Sequence, residues 1–83
     1  MQLNGKVAVV TGGARGIGKA IAHAFAERGA KLALLDLNQA DLDATRAEFA
    51  ARGVNVSGHA LNVAREDEVI RALDEVVAAH GRL

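Results

Sequence analysis

The chain has 83 residues, with ten basic and ten acidic side chains and no cysteine. This length predicts one small domain over residues 1–83, which buries about 60% of the surface that its unfolded chain exposes. The balanced charge argues against a nucleic-acid or anionic-membrane partner, and the lack of cysteine excludes disulfides and thiolate metal sites. We therefore expect a small ligand and no metal.

No stretch of the sequence approaches the roughly 18 apolar residues that a membrane-spanning helix needs. The apolar run VAVV, residues 7–10, is followed at once by threonine and two glycines, so it is too short for the core of a signal peptide. We expect a soluble, cytoplasmic protein.

The first half of the chain alternates between the patterns of strand and helix. VAVVT, residues 7–11, is a valine-rich run typical of a strand buried on both faces. A second strand is predicted over residues 32–35, stopping at Asp36. Between them lies a predicted helix that Gly29 ends, and its inward stripe is Ile17, Ala20, Ile21, Ala24 and Phe25.

The second half repeats the alternation. Asn38 is a good N-cap for a helix that carries Leu42, Thr45 and Phe49 on one face. A third, less regular strand is predicted within residues 54–63, with Gly58 interrupting it. The last helix is predicted over residues 65–80, and its inward residues are Val69, Leu73, Val76 and Val77. Ala64 stands where the cap of this helix is expected. Alanine has no side-chain acceptor, so the first amides of the helix lack a cap unless Asn62 provides one.

Apolar strands that alternate with helices predict an α/β fold built from parallel βαβ units. The expected architecture is a βαβαβα half, with three parallel strands in the order 3-2-1 and helices on both faces. No segment of the sequence indicates a second domain or an internal repeat.

TGGARGIGKA, residues 11–20, fits two kinds of phosphate-binding loop. Counted from Gly13, it has the spacing of a nucleoside-triphosphate loop, but that loop needs a Ser or Thr hydroxyl for Mg²⁺ where this chain has Ala20. Counted from Gly12, it reads G-x-x-x-G-x-G, which suits a dinucleotide. We favour the dinucleotide, and we expect Lys19 to be solvated.

In the dinucleotide interpretation, each glycine has a physical role. Gly12 allows a sharp turn out of the strand, Gly16 lets a pyrophosphate approach the backbone, and Gly18 permits close helix packing. Amides near Ile17 begin a helix whose positive end faces the phosphates. Asp36 lies 18 residues beyond Gly18, at the tip of the next strand, where a carboxylate can bind ribose hydroxyls.

With these residues, GKVAVVTGGARGIGKAIA resembles the opening of the short-chain dehydrogenase/reductase family, whose signature is T-G-x-x-x-G-x-G, and is similar to its 3-oxoacyl-acyl-carrier-protein reductases. The resemblance implies a Rossmann-type fold and hydride transfer between nicotinamide and a carbonyl or secondary alcohol. It also implies that Leu37 follows the ribose-binding acid and that Asn62 and Val63 lie at the adenine ring. The family usually has aspartate at position 62.

Charge bears on the choice of cofactor. A carboxylate at Asp36 binds a free 2′-hydroxyl and repels a 2′-phosphate, which argues for NAD over NADP. Arg15 argues the other way, because family members that prefer NADP often have an arginine at this position of the loop. We favour NAD.

The family's catalytic residues are a serine and a Y-x-x-x-K motif, and this sequence has no tyrosine. We therefore expect the first third of an enzyme, inactive alone, with only the adenosine and pyrophosphate half of the cofactor site. Without a fourth strand, residues 7–11 would form an exposed sheet edge, which predicts self-association. The alternative is a stand-alone nucleotide-binding or scaffold module without catalysis. The three histidines, His23, His59 and His80, share no metal-ligand spacing.

Overall fold

The structure is a computed structural model that describes residues 2–81. Its elements are β1 (Val7–Thr11), α1 (Gly16–Glu27), β2 (Lys31–Asp36), α2 (Gln39–Ala51), β3 (Val56–Ala60) and α3 (Glu66–His80). The strands form one sheet in the order β1-β2-β3, and both neighbouring pairs are parallel. This confirms the predicted α/β fold and its strand order 3-2-1, which is the same order counted from the other edge.

The central strand β2 carries most of the sheet's packing. Residues 32–36 are all buried, as expected for a strand with neighbours on both sides and helices on both faces. Its register aligns Leu34 with Val10 on β1 and with Gly58 on β3. Gly58 therefore lies inside a continuous strand, and the predicted interruption at this residue was wrong.

The helices divide between the two faces of the sheet, as predicted. α1 and α2 cover one face, where the buried core consists of Val10, Ala14, Ala22, Leu32, Leu34, Leu42 and Phe49. α3 covers the other face, over a smaller core of Leu35, Leu61 and Ala72. A strand's successive side chains point to opposite faces, so β2 supplies Leu34 to one core and Leu35 to the other.

The predicted inward stripe of α1 was right at Phe25, which packs against the core, and wrong at its other four positions. Ala22 is fully buried, whereas Ile17 is 81% and Ile21 is 43% exposed. The small residues Gly18, Ala22 and Ala26 follow one another at a spacing of four, and they let the helix approach the glycine loop and the sheet closely. The larger isoleucines consequently lie on the outer side.

α3 begins one residue later than predicted, and the inner face of the helix differs from the predicted one. Arg65 occupies the N-cap position, but its side chain pairs with Glu68 at 3.2 Å and caps no helix amide. The Asn62 Oδ1 accepts from the Ala64 amide at 3.0 Å. The buried residues of the helix are Ala72, Val76 and His80, and Val77 is exposed. A turn of 100° per residue places Val77 off the face that Val76 occupies. None of the helices within residues 2–81 has both the length and the apolar composition to cross a membrane.

Candidate functional site

A cleft of about 350 Å³ opens where the three strands end. The carboxyl ends of parallel strands meet at one edge of a sheet, and this is where open α/β sheets place their ligands. The residues around the cleft come from the ends of all three strands and the loops that follow them. They are Thr11, Gly12, Leu35, Asp36, Leu37, Leu61, Asn62 and Val63.

The structure thus brings five of the nine predicted site residues around one opening: Gly12, Asp36, Leu37, Asn62 and Val63. The other four lie on the loop and first turn that follow Gly12. These are Arg15, Gly16, Ile17 and Gly18.

The loop after β1 is shaped by two glycines with left-handed backbone. Gly12 has φ of 65° and Gly16 has φ of 59°, a region that side chains other than glycine rarely adopt. A Cβ built on either residue meets no other atom within 4 Å, so both face open space. The Gly12 amide donates to the Leu35 carbonyl at 2.6 Å, which ties the loop to the end of β2.

Gly18 has a different role, because it packs against the loop itself. A Cβ at this position would overlap the Gly12 carbonyl oxygen and lie 2.6 Å from its carbon. No side chain fits between α1 and the turn without moving backbone. The helix therefore begins in direct contact with the loop that precedes it.

Among the residues that the structure describes, no side chain caps the amides at the N-terminus of α1. Arg15, at the N-cap position, makes no capping hydrogen bond, and the first turn contains no acidic residue. By contrast, α2 is capped by Asn38, whose Oδ1 accepts from the Asp41 amide at 3.0 Å, and α3 has three acids in its first turn. The free amides and the positive end of the helix dipole of α1 suit an anion.

Asp36 lies at the end of β2 on the same side of the fold as the glycine loop. Its Oδ1 accepts from the Leu37 amide at 2.7 Å, and its Oδ2 accepts from the Ala14 amide at 3.3 Å. The residue is only 8% exposed. Each carboxylate oxygen has a second lone pair, which leaves an acceptor for a hydroxyl that enters the cleft.

Three apolar side chains around the loop and cleft are exposed to solvent. Ile17, Leu37 and Val63, at 81%, 72% and 57%, are the most exposed large hydrophobic residues in the described part of the chain. Apolar side chains gathered at an opening are typical of a ligand surface. Beside them, the Asn62 amide oxygen already accepts from Ala64, so a ligand would share it through its second lone pair.

The two cations of the loop region point towards α2. Arg15 Nη1 lies 3.8 Å from Asp41 Oδ2. Lys19 Nζ lies 2.8 Å from Glu48 Oε2, and the hydrogen bond and charge of this lysine lower the pKa of Glu48. The expectation of a solvated Lys19 was wrong.

Sequence reasoning missed a polar network beneath α3. Ser57 Oγ lies 2.7 Å from His59 Nε2 and 2.8 Å from His80 Nε2, and His59 Nδ1 lies 2.9 Å from Glu75 Oε1. Both imidazoles are buried. The alternate positions of Ser57 and His59 on β3 place both on one face, but their partners on α3 are distant in sequence. Within residues 2–81, no three potential ligand residues form a metal site.

The hydrogen-bond roles in this network depend on which histidine nitrogens carry protons. A carboxylate only accepts, so His59 donates its Nδ1–H to Glu75 Oε1. With the proton of His80 on Nε2, that nitrogen donates to Ser57 Oγ. This leaves His80 Nδ1 buried and without a hydrogen-bond partner among the described residues. Burial, and then the charges of Lys31 and His59, lower the pKa of His80.

Comparison with known proteins places this architecture in a family. The model of the short chain dehydrogenase family matches residues 6–83. The chain belongs to this family. A D-threitol dehydrogenase from Mycolicibacterium smegmatis is 46% identical over 83 residues, which cover 99% of the chain and 32% of the relative.

Solved structures of the family share the fold. A short-chain dehydrogenase/reductase from Burkholderia phymatum in complex with NAD superposes with a TM-score of 0.94 at 34% identity, covering 100% of this chain and 30% of that one. L-Sorbose reductase from Gluconobacter frateurii, complexed with NADPH and L-sorbose, has a TM-score of 0.89 at 35% identity, covering 94% and 30%. The chain therefore spans about a third of the length of these proteins and corresponds to an N-terminal segment of the family.

Proposed function

We propose that this short-chain dehydrogenase segment binds the adenosine and diphosphate half of NAD in the cleft at the strand ends. The observation that carries the proposal is the position of Asp36, which faces the cleft that Gly12 also lines and hydrogen-bonds to the glycine loop. A carboxylate beside a bare backbone turn offers acceptors to ribose hydroxyls and room to a diphosphate.

The residues present fit an anionic dinucleotide. Open space at Gly12 and Gly16 admits phosphate oxygens close to the backbone, and the uncapped amides of α1 supply donors. Ile17 and Val63 offer apolar surface to the cofactor, with Leu37 beside the ribose and Asn62 beside the adenine edge. Gly18 keeps the helix against the loop.

Preference for NAD over NADP rests on Asp36, whose charge opposes a 2′-phosphate. Arg15 is drawn towards Asp41, which partly neutralises the cation that would attract such a phosphate. The superposed structures contain NAD in one case and NADPH in the other. The cofactor class is therefore a nicotinamide dinucleotide, and the preference within it follows from these two residues.

In a protein that carries the rest of the family fold, we propose an oxidoreductase that transfers a hydride between nicotinamide and a carbonyl or secondary alcohol. The cofactor supplies the redox chemistry. The contribution of residues 1–83 is to hold its adenosine half, and the absence of tyrosine from them assigns the proton-transferring group to another part of such a protein.

Calorimetric titration of the 83-residue chain with NADH, NADPH, ADP-ribose and ATP tests this proposal, the ATP runs being made with and without Mg²⁺. We expect ADP-ribose and NADH to bind, NADPH to bind more weakly, and Mg²⁺ to leave ATP binding unchanged. Metal-dependent ATP binding would contradict it. A folded chain that binds none of these ligands would support the scaffold module instead.

The free edge of β1 supports a second proposal, that the isolated chain associates with itself. The Lys31 amide donates to the Lys6 carbonyl, and the Gly12 amide donates to the Leu35 carbonyl. The amides and carbonyls of the even-numbered residues of β1 therefore face β2. The groups of Val7, Val9 and Thr11 then face outward. An open apolar edge of this kind pairs with other strands.

We further propose a cytoplasmic location and no nucleic-acid partner. The balanced charge and the lack of cysteine support this proposal.

A further inference from the structure

We infer that Thr45, on α2, is a positioning residue for the dinucleotide loop. This inference rests on the proposed function and adds to it a residue outside the glycine motif. The Thr45 hydroxyl donates to the Ala14 carbonyl at 2.8 Å, across 31 positions of sequence. Thr45 is 3% and Ala14 is 4% exposed, so the bond is buried.

Ala14 is held at both of its backbone polar groups. Its amide donates to Asp36 Oδ2 at 3.3 Å, and its carbonyl accepts from Thr45. The peptide planes before and after Ala14 are thereby fixed, one to the end of β2 and the other to α2. Gly16 follows two residues later, with the left-handed backbone that begins α1. The direction of the amides offered to a diphosphate therefore depends on this clamp.

Packing alone does not account for a hydroxyl at this position. Leu42 and Phe49, on the same buried face of α2, are apolar, and valine would fill the volume of Thr45 equally well. A helical threonine ordinarily turns its hydroxyl to the carbonyl one turn earlier in its own helix. Here the hydroxyl instead serves the loop. Without this hydroxyl, the buried Ala14 carbonyl would have no hydrogen-bond donor among residues 2–81. The loop would then have to move towards water to satisfy it.

The test compares Thr45→Val with Thr45→Ser, which retains the hydroxyl, and with Phe49→Leu, which loosens the same helix one turn away from the loop. ADP-ribose affinity is measured by calorimetry, and backbone hydrogen exchange at residues 14–18 is followed without ligand. We expect Thr45→Val to bind about tenfold more weakly, or about 1.4 kcal/mol, with faster exchange in the loop. Thr45→Ser and Phe49→Leu should stay within about twofold of the unsubstituted chain.

Equal affinity and equal loop exchange in Thr45→Val and the unsubstituted chain would overturn the inference. So would matched losses in Thr45→Val and Phe49→Leu, because they would show a role in stability alone. If the unsubstituted chain itself fails to bind ADP-ribose, the proposed function fails, and the binding role of Thr45 with it. Should Thr45→Val lower the folded population, the comparison is repeated in sucrose, which favours the folded state without bonding to the loop.

Discussion

Gly18 and Gly58 differ in what a side chain would meet. A methyl group at Gly18 overlaps the backbone of Gly12, whereas one at Gly58 makes ordinary contacts of 3.6 Å or more with Leu42 and Arg46. We expect Gly18→Ala to lower the free energy of unfolding by about 1–3 kcal/mol. Gly58→Ala should raise it slightly, because alanine reduces the entropy of the unfolded chain.

Urea denaturation of both variants checks this prediction. Gly18→Ala should also weaken ADP-ribose binding, because the loop is what must shift. Equal stability of the two variants would contradict the close contact between α1 and the loop.

The lowered pKa of His80 predicts how the stability of the fold depends on pH. Its pKa is lowered chiefly by burial, and protonation would place an N–H on a buried nitrogen that has no partner among the described residues. The unfolded chain therefore takes up this proton more readily than the folded one, so stability falls as the pH drops below the ordinary histidine value of about 6.5. Above that value the contribution is fully present.

The urea concentration at the midpoint of unfolding is measured at about pH 7.5 and about pH 5.5, on either side of the ordinary histidine pKa. His80→Gln, which can still donate to Ser57, should lose less stability between the two pH values than the unsubstituted chain. An identical loss in both proteins would show that His80 is not the responsible group.

At the scale of elements, apolar patterns predicted every strand and helix, but not always the side that each helix buries. In α1 the pattern favoured the large residues Ile17 and Ile21, whereas the sheet and the loop select small ones. The backbone of α1 has to approach the loop and the sheet closely, so small residues such as Gly18 and Ala22 must face them. This requirement arises from contacts between elements, and the helical pattern of α1 does not record it. In β3, β-propensity alone suggested a break at Gly58, although strand pairing carries the backbone through.

The orientation of α1 can be tested by two substitutions on adjacent residues. Ala22→Leu adds volume at a fully buried position and should cost about 1–3 kcal/mol of unfolding free energy. Ile21→Ala removes a side chain that is 43% exposed and should cost under about 1 kcal/mol. Thermal unfolding of both variants measures the two losses. A larger loss for Ile21→Ala than for Ala22→Leu would show that the helix buries its isoleucines instead of Ala22.

The edge of β1 can be tested by proline substitutions at neighbouring positions. Val7→Pro removes an amide that faces the free edge, at the first residue of a strand, where proline is tolerated. Ala8→Pro removes an amide that faces β2 and should unfold the chain. By light scattering at about 50 µM, we expect the unsubstituted chain to associate and Val7→Pro to be more nearly monomeric. A monodisperse monomer in both cases would contradict self-association through this edge.

At the scale of the whole molecule, the sequence was most informative where residues close together in the chain define a motif. The glycine spacing and the acid at the second strand tip predicted a loop and carboxylate that the fold brings to one edge of the sheet. The bonds that hold this arrangement were not predictable. Thr45 reaches Ala14, and Ser57 reaches His80, across 31 and 23 positions, so no local pattern records either pair.

We propose that the adenosine and diphosphate of a dinucleotide bind where β1, β2 and β3 end. Backbone amide chemical shifts, followed by NMR during titration with ADP-ribose, can locate this site residue by residue. We expect saturable shifts concentrated at residues 12–18, 36–37 and 62–63, with little change at Gly53 and Val54 at the opposite end of the strands. No saturable shift in a folded chain, or shifts centred on that opposite end, would contradict it.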